Sequence, residues 1–299
     1  VLVIDGIHQY YRQFGYEYAL ERYPMRRGVL SDVPKLGENE SEPVNVREAT
    51  AGDVDLLARF YQHAVQRSTV ACVRDADSFR FHLTTQNQAH RRRAAVIETL
   101  NGEPIGGLMF SVGETIGVEM LELADDASWL TICRPVMRWL RDTHEDAVFQ
   151  KYVLQSDHPI YEVCGRLLGP IEHEVHPAWY IRVQDVQRFL RKIVPILEHR
   201  LASSSSRGYT GELAVSFYRD GFKLMFDRGR VSVEPFRHTV DDQGHCGFVG
   251  LTFLQVLFGY RSFEELHHLH PDCHARFHQA EPLLNALFPK RASYMLSIS

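Results

Sequence analysis

Apolar and polar positions recur along this chain at two periods, near two and near 3.6 residues, and the switches between them mark its elements. Val1–Ile4 is a short, mostly β-branched run of the kind a buried strand carries. Asp5 and Gly6 interrupt it. From His8 to Glu21, Tyr11, Phe14 and Tyr18 fall at helical spacings, with Gly15 either inside that helix or capping it. Residues 31–43 (SDVPKLGENESEP) are a linker composition, and a boundary is placed there. A strand at Val44–Arg47 then leads through the turn Thr50–Asp53, a helix N-cap, into a helix over Asp53–Val65. Its apolar face is Val54, Leu57, Phe60, Tyr61 and Ala64. The runs Ala94–Leu100 and Ile105–Val112 flank Asn101-Gly102 and predict a hairpin. A strand at Val118–Leu123, a helix at Trp129–Arg141, a strand at Val148–Leu154, a helix at His158–Leu168 and a strand at Ala178–Val183 complete a mixed α/β layered unit.

The remainder reads as α+β. A helix over Val186–Leu201 precedes three short strands, Glu212–Phe217, Gly221–Phe226 and Gly229–Pro235, set out as a meander. The apolar stretch Gly250–Phe258 is either a packed core or the lining of a lipid cavity, and the packed core is favoured. Helices over Phe263–His268 and Cys273–Leu287 end the chain. The fold class is thus α/β plus α+β, in three parts: 1–43, 44–183 and 184–299.

Composition narrows the function classes. The 299 residues are 44% hydrophobic and 24% charged, as in a globular protein. No stretch of 18 apolar residues predicts a membrane span. The net charge of −5 argues against non-specific nucleic-acid binding. Five scattered cysteines without a CxxC pair argue against a disulfide framework or zinc ribbon, and for a cytoplasmic setting. The chain opens at Val1 inside a strand-like run, so a preceding segment is expected.

The segment Val1–Ala19 resembles the strand-and-helix region of GCN5-related N-acetyltransferases (the GNAT superfamily). There a strand is followed by Gly-x-x-x-x-Tyr-x-x-x-Gly and then Phe or Tyr, matched here by Gly6, Tyr11, Gly15 and Tyr16. Residues 44–183 resemble a second GNAT domain. Residues 184–299, with Leu257-Phe-Gly-Tyr-Arg261 and Leu287-Phe-Pro289, resemble a sterol-carrier-protein-2 (SCP2)-like domain. Together they resemble the plan of Eis-like acetyltransferases: tandem GNAT domains, the first catalytic and here represented by its last part, then the carrier-like domain. The resemblance implies acetyl-CoA as acyl donor, a primary amine on a small molecule or peptide as acceptor, and leaves a homo-oligomer open. It implies that the Tyr11 hydroxyl protonates the leaving thiolate, that Gly6, Ile7 and Tyr11 contact acetyl-CoA, and that the C-terminal carboxylate, here Ser299, acts as base. Tyr10 is the competitor if the register is off by one.

The superfamily's pyrophosphate turn, Arg/Gln-x-x-Gly-x-Gly/Ala, has no match in this chain. Arg166-Leu-Leu-Gly169-Pro-Ile171 comes nearest, but it ends on Ile and its proline removes a donor N–H. In the second unit the corresponding place is Ala124–Trp129, where Asp125 and Asp126 would repel a pyrophosphate. The alternative is therefore a non-enzymatic module holding a lipid or a protein. The histidines at 267, 268, 270, 274 and 278 are read as a solvated face rather than a metal site, and Arg91–Arg93 as a solvated strand entry.

Overall fold

The computed structural model describes residues 1–22, 24–172 and 177–295. In chain order its elements are β1 (Leu2–Ile4), β2 (Glu17–Glu21), β3 (Arg26–Val29), β4 (Asn45–Glu48), α1 (Val54–Arg67), α2 (Ala76–Thr84), β5 (Arg93–Glu98), β6 (Pro104–Ser111) and β7 (Thr115–Leu123). There follow α3 (Trp129–Thr143), β8 (Phe149–Tyr152), α4 (Pro159–Val163), β9 (Ala178–Arg182), α5 (Val186–Ala202), β10 (Gly211–Ser216), β11 (Asp220–Asp227) and β12 (Arg230–Arg237). The last are β13 (Cys246–Gly247), α6 (Phe253–Leu257), α7 (Phe263–Leu269), β14 (His274–Ala275) and α8 (Ala280–Leu287). The mixed α/β and α+β class expected from the sequence is the one observed.

The chain packs as two compact units. One joins Val1–Glu21 to Ala178–Arg291, the other Arg22–Pro177 to the C-terminal residues from Ala292. The second contains a six-stranded sheet in the order β3-β8-β7-β6-β5-β4, antiparallel except for the parallel pair β7 and β8. Period-two alternation along β6 sends Leu108 and Phe110 to one face and Met109 to the other. α3 covers the first face with Ile132, Val136, Met137 and Leu140. α1 covers the second with the stripe Val54, Leu57, Phe60, Tyr61 and Ala64, the face read from the sequence. Thr50 and Asp53 close a reciprocal capping box before α1. The Asn101-Gly102 hairpin is present.

The first unit holds two sheets. β9 lies between β1 and β2, antiparallel to both. β12, β11 and β10 form the expected meander, extended by β13 and β14. Phe253, from the apolar stretch 250–258, is 2% exposed and packs against Phe222, Phe248 and Phe288 at ring separations of 5.2–5.5 Å. From Thr252 to Phe258 that stretch is packed core.

Several elements differ from the sequence reading. Residues 8–21 do not form one helix. A short 3-10 turn, Tyr10–Phe14, ends at Gly15, whose φ of +79° is the left-handed conformation glycine adopts without strain. Glu17–Glu21 then pairs with β9. β9 itself joins β1 and β2 rather than the larger sheet. β3 pairs with β8, although the boundary at 31–43 separates it from that unit. Cys273–Leu287 is helical only from Ala280, because His274 and Ala275 pair with β13.

Candidate active site around Tyr11

β1 ends at Ile4, and the chain doubles back through Asp5–Gln9 into the 3-10 turn that carries Tyr11. Gly6 lies directly beneath the Tyr11 ring, so that a methyl group there would overlap it. Gln9 holds a left-handed φ of +67°, uncommon for a residue with a side chain. Its N–H donates to the Tyr180 hydroxyl at 2.9 Å, which ties the turn to β9. At the far end Gly15 N–H donates to the Arg12 carbonyl at 3.1 Å, and Tyr16 N–H to the Tyr11 carbonyl at 3.3 Å. The half-buried Tyr11 ring sits 5.7 Å from Tyr180 and 5.9 Å from Tyr16. Its hydroxyl makes no hydrogen bond among the described residues. A phenol held at the ring and unpaired at the oxygen can donate a proton to an incoming group.

Glu17 is a buried carboxylate beside this turn, 4% exposed. Arg12 Nη1 donates to its Oε2 at 2.8 Å, and Tyr18 N–H to its Oε1 at 2.9 Å. Burial raises its pKa above the usual carboxylate value, while the Arg12 charge and the Tyr18 amide pull the other way. Tyr18 stacks on Tyr180 with ring centroids 3.9 Å apart. Its hydroxyl lies 3.4 Å from His8 Nδ1.

Of the residues singled out from the sequence, Gly6 and Tyr11 come together. Ile7 is next to them and 68% exposed, and Tyr10 packs edge-on against Tyr11 with 47% of its surface exposed. Ser299 lies outside the described residues. Sequence reasoning missed Arg12, Glu17 and Tyr180. The first two lie within the expected 8–21 helix, whose pattern singles out only its aromatic residues. Tyr180 could be found only through the pairing of β9 with β1 and β2, which no local pattern announces.

The second unit shows what occupies the start of α3. Asp125 in the turn Ala124–Trp129 has a side chain 94% exposed and lies 3.2 Å from His63. β7 and β8 pair only as far as Val118 and Tyr152. Beyond that point buried His158 Nε2 lies 2.9 Å from the Leu121 carbonyl, and its ring meets Trp129 edge-on at 5.0 Å. Arg67 donates two 2.7 Å hydrogen bonds to Glu122, which has no exposed surface. Burial pushes the Glu122 carboxyl up to about 7 and the His158 imidazole down to about 3. The C-terminal segment runs alongside. Thr69 N–H donates to the Ala292 carbonyl at 2.9 Å, Tyr294 N–H to the Val70 carbonyl at 2.8 Å, and the Tyr294 hydroxyl to the Glu119 carbonyl.

The histidine-rich stretch is tied into its own surroundings. His267 Nδ1 is 2.6 Å from the Cys273 carbonyl, and Arg276 Nε donates to His274 Nε2 at 3.0 Å. Among the described residues no group of three His, Cys, Asp or Glu side chains is placed to hold a metal ion. No described helix is long and apolar enough to cross a membrane.

No family model matches the sequence, and no match was found among curated proteins. Solved structures do share the fold. A conserved protein from Enterococcus faecalis, described as a probable N-acyltransferase, superposes with a TM-score of 0.65 at 12% identity, over 96% of this chain and 68% of its own. A GCN5-related N-acetyltransferase from Anabaena variabilis gives 0.64 at 13% identity, over 97% and 70%. An Eis protein from Mycobacterium abscessus gives 0.56 at 16% identity, over 97% and 70%. At these identities the likeness is one of fold: the chain is built as GCN5-related N-acetyltransferase structures are built.

Proposed function

We propose that the protein is an acetyl-CoA-dependent N-acetyltransferase of the Eis-like kind, acting on a primary amine, in which the Tyr11 hydroxyl protonates the departing CoA thiolate. The observation that carries this reading is the Gly6–Tyr11 contact. It fixes the tyrosine ring by a glycine five residues earlier, and the hydroxyl has no hydrogen-bond partner among the described residues. The fold shared with N-acetyltransferase structures supports the same reading.

In this scheme the amine nitrogen attacks the acetyl carbonyl, the C–S bond breaks, and the thiolate takes the Tyr11 proton while the amine gives up its own. The amine's proton goes to a base, and the C-terminal carboxylate of Ser299 is the proposed acceptor. Gly6 and Ile7, at the lip of the turn, contact the donor. The division into a first GNAT part (1–43), a second GNAT-like domain (44–183) and an SCP2-like domain (184–299) belongs to the same proposal. The turn at Ala124–Trp129 does not fit a pyrophosphate, because its exposed Asp125 and Asp126 oppose that charge. This favours a non-catalytic role for the second unit, as a module holding a partner or ligand.

The test is CoA release by the full-length protein from acetyl-CoA and a panel of primary amines, comparing Tyr11→Phe with Tyr10→Phe. Loss of a general acid lowers kcat by about 10²–10⁴-fold. Tyr11→Phe is expected to do so at a near-constant melting temperature, and Tyr10→Phe to leave kcat within about twofold. Full kcat in Tyr11→Phe, or no release with any amine, overturns the reading.

A further inference from the structure

The second unit holds the C-terminal segment in a seat built wholly from earlier residues. Tyr61 of α1, Phe79 of α2, Met109 of β6 and Met120 of β7 are buried together beneath it. The stretch Thr69–Cys72 after α1 forms its rim, held by the Tyr61 hydroxyl, which donates to the Cys72 carbonyl at 2.7 Å. Between β6 and β7 the register slips: Met109 pairs with Met120 and Phe110 with Val118, so Glu119 has no partner on β6. Such a bulge interrupts the ladder at that residue.

Ala292–Met295 lies along the rim. Thr69 N–H donates to the Ala292 carbonyl, Tyr294 N–H to the Val70 carbonyl and Cys72 N–H to the Tyr294 carbonyl, at 2.8–3.1 Å. Ala71 and Tyr294 form a parallel bridge. The Tyr294 ring is 3% exposed and lies 5.7 Å from that of Tyr61. Its hydroxyl donates to the Glu119 carbonyl, at the bulge. Backbone hydrogen bonds along an extended segment, with one side chain sunk in a socket, are the means by which proteins recognise peptides as added strands.

Two features mark this segment as an occupant. The named residues of the seat all fall within 61–120, so none is supplied by the segment itself. The fit is also incomplete. Ser293 is 4% exposed and its Oγ has no hydrogen-bond partner among the described residues. Arg74 is 5% exposed, lies 5.8 Å from the Tyr61 ring, and has an Nη1 in the same condition. Buried polar atoms without partners weaken a contact. A short segment held by a few backbone bonds opens at a lower cost than the sheet beneath it.

We propose that this seat is a peptide-recognition site for an extended segment with a tyrosine after two small residues, that the C-terminal segment is its resident ligand, and that an equivalent peptide from outside displaces it. This rests on the reading of the second unit as a holding module, and names what it holds.

The test is fluorescence polarisation with a labelled, amidated peptide Arg-Ala-Ser-Tyr-Met, the sequence of residues 291–295, on the full-length protein without acetyl-CoA. Tyr294→Ala empties the socket and leaves its walls in place. The peptide should bind that variant saturably, and at least about tenfold more tightly than the wild type, where the resident segment competes at an effective concentration of about millimolar. Alanine in place of the peptide's tyrosine should weaken binding about a hundredfold or more, and phenylalanine about five- to tenfold through the lost bond to Glu119. Alanine in place of its serine should tighten binding, since the buried hydroxyl is unmet. Hydrogen exchange in the wild type gives a second reading that needs no variant. The amides of Cys72 and Tyr294 should exchange together, at least about tenfold faster than those of β6. The proposal is overturned if the folded Tyr294→Ala protein does not bind the peptide saturably, if the peptide with alanine for tyrosine binds equally well, or if the Cys72 and Tyr294 amides exchange only as slowly as β6. Failure here leaves the acetyl-transfer reading untouched, because CoA release tests that separately.

Discussion

Replacing Arg67 by methionine isolates the energetics of the buried carboxylate at 122. Methionine keeps an apolar stem of similar length but leaves Glu122 without the two 2.7 Å hydrogen bonds that now hold it. Glu122 has its folded pKa raised from 4.5 to about 7. A carboxyl so raised contributes stability that is whole below pH 4.5, where both states are protonated, and is lost as the pH climbs through 7. One pKa unit corresponds to ~1.4 kcal/mol, so the two and a half units amount to about 3 kcal/mol by pH 8. Without Arg67 the carboxyl stays protonated in the fold to higher pH. Holding it so at pH 8 costs about 5 kcal/mol relative to an unfolded carboxyl at 4.5. The variant should therefore trail the wild type by an extra 1–2 kcal/mol, roughly, at pH 8, and the gap should widen by ~1.4 kcal/mol per further unit. At pH 5, where the carboxyl is protonated with or without Arg67, the loss is the pH-independent part alone, the arginine stem's packing and the two hydrogen bonds, about 1–3 kcal/mol. His158, 3.9 Å away, stays neutral across this range and does not mask the effect. Thermal unfolding followed by circular dichroism at pH 5 and pH 8 measures the difference as several degrees. The double variant Arg67→Met/Glu122→Gln should recover most of the pH-dependent part. An equal loss at pH 5 and pH 8, or no recovery in the double variant, refutes the account.

Two further outcomes follow from named contacts. Gly6→Ala places a methyl group in the Tyr11 ring, so the ring must swing away. The expected result is a kcat as low as that of Tyr11→Phe, with no additional loss in the double variant and a stability change below about 1 kcal/mol. Independent, multiplying losses in activity would show that Gly6 does not place Tyr11. Arg26 donates to the carbonyls of Tyr161, Gly165, Leu168 and Gly169 from one guanidinium. Arg26→Met strips all four and should cost about 2–4 kcal/mol in denaturant unfolding. A loss under 0.5 kcal/mol, roughly, would show that water replaces them freely.

What the sequence disclosed was whatever is stored locally. The stripe on α1, the Asn101-Gly102 hairpin and the meander β10–β12 each carry their own period or turn chemistry within a few residues, and each is present. β3 was missed because Arg-Arg-Gly-Val has no alternation to show. α2 was missed because only Phe79 and His82 are buried in it. Residues 8–21 were misread because the tyrosines suit either period, and the pairing with β9 decides between them. The same reason governs the candidate site. Gly6 and Tyr11 are five positions apart and were legible together. Tyr180, which ties the turn, comes from a strand more than 160 residues away, and Glu17 is buried only because its segment is a strand.

The central place of β9 between β1 and β2 also sets a schedule for synthesis. Val3 pairs with Ile181 and Tyr18 with Tyr180, so neither N-terminal strand can find its neighbour until the ribosome has made residue 182. At about 5–20 residues per second that is a wait of roughly 8–30 s. During it Leu2, Val3 and Ile4 lack their β9 partner, while the long helical and hairpin segments in between, closed by local contacts, can fold first. The turn that holds Tyr11 is then among the last parts of its sheet to be locked. Agents that capture short apolar strands on nascent chains would act on β1 long before the later core elements are made.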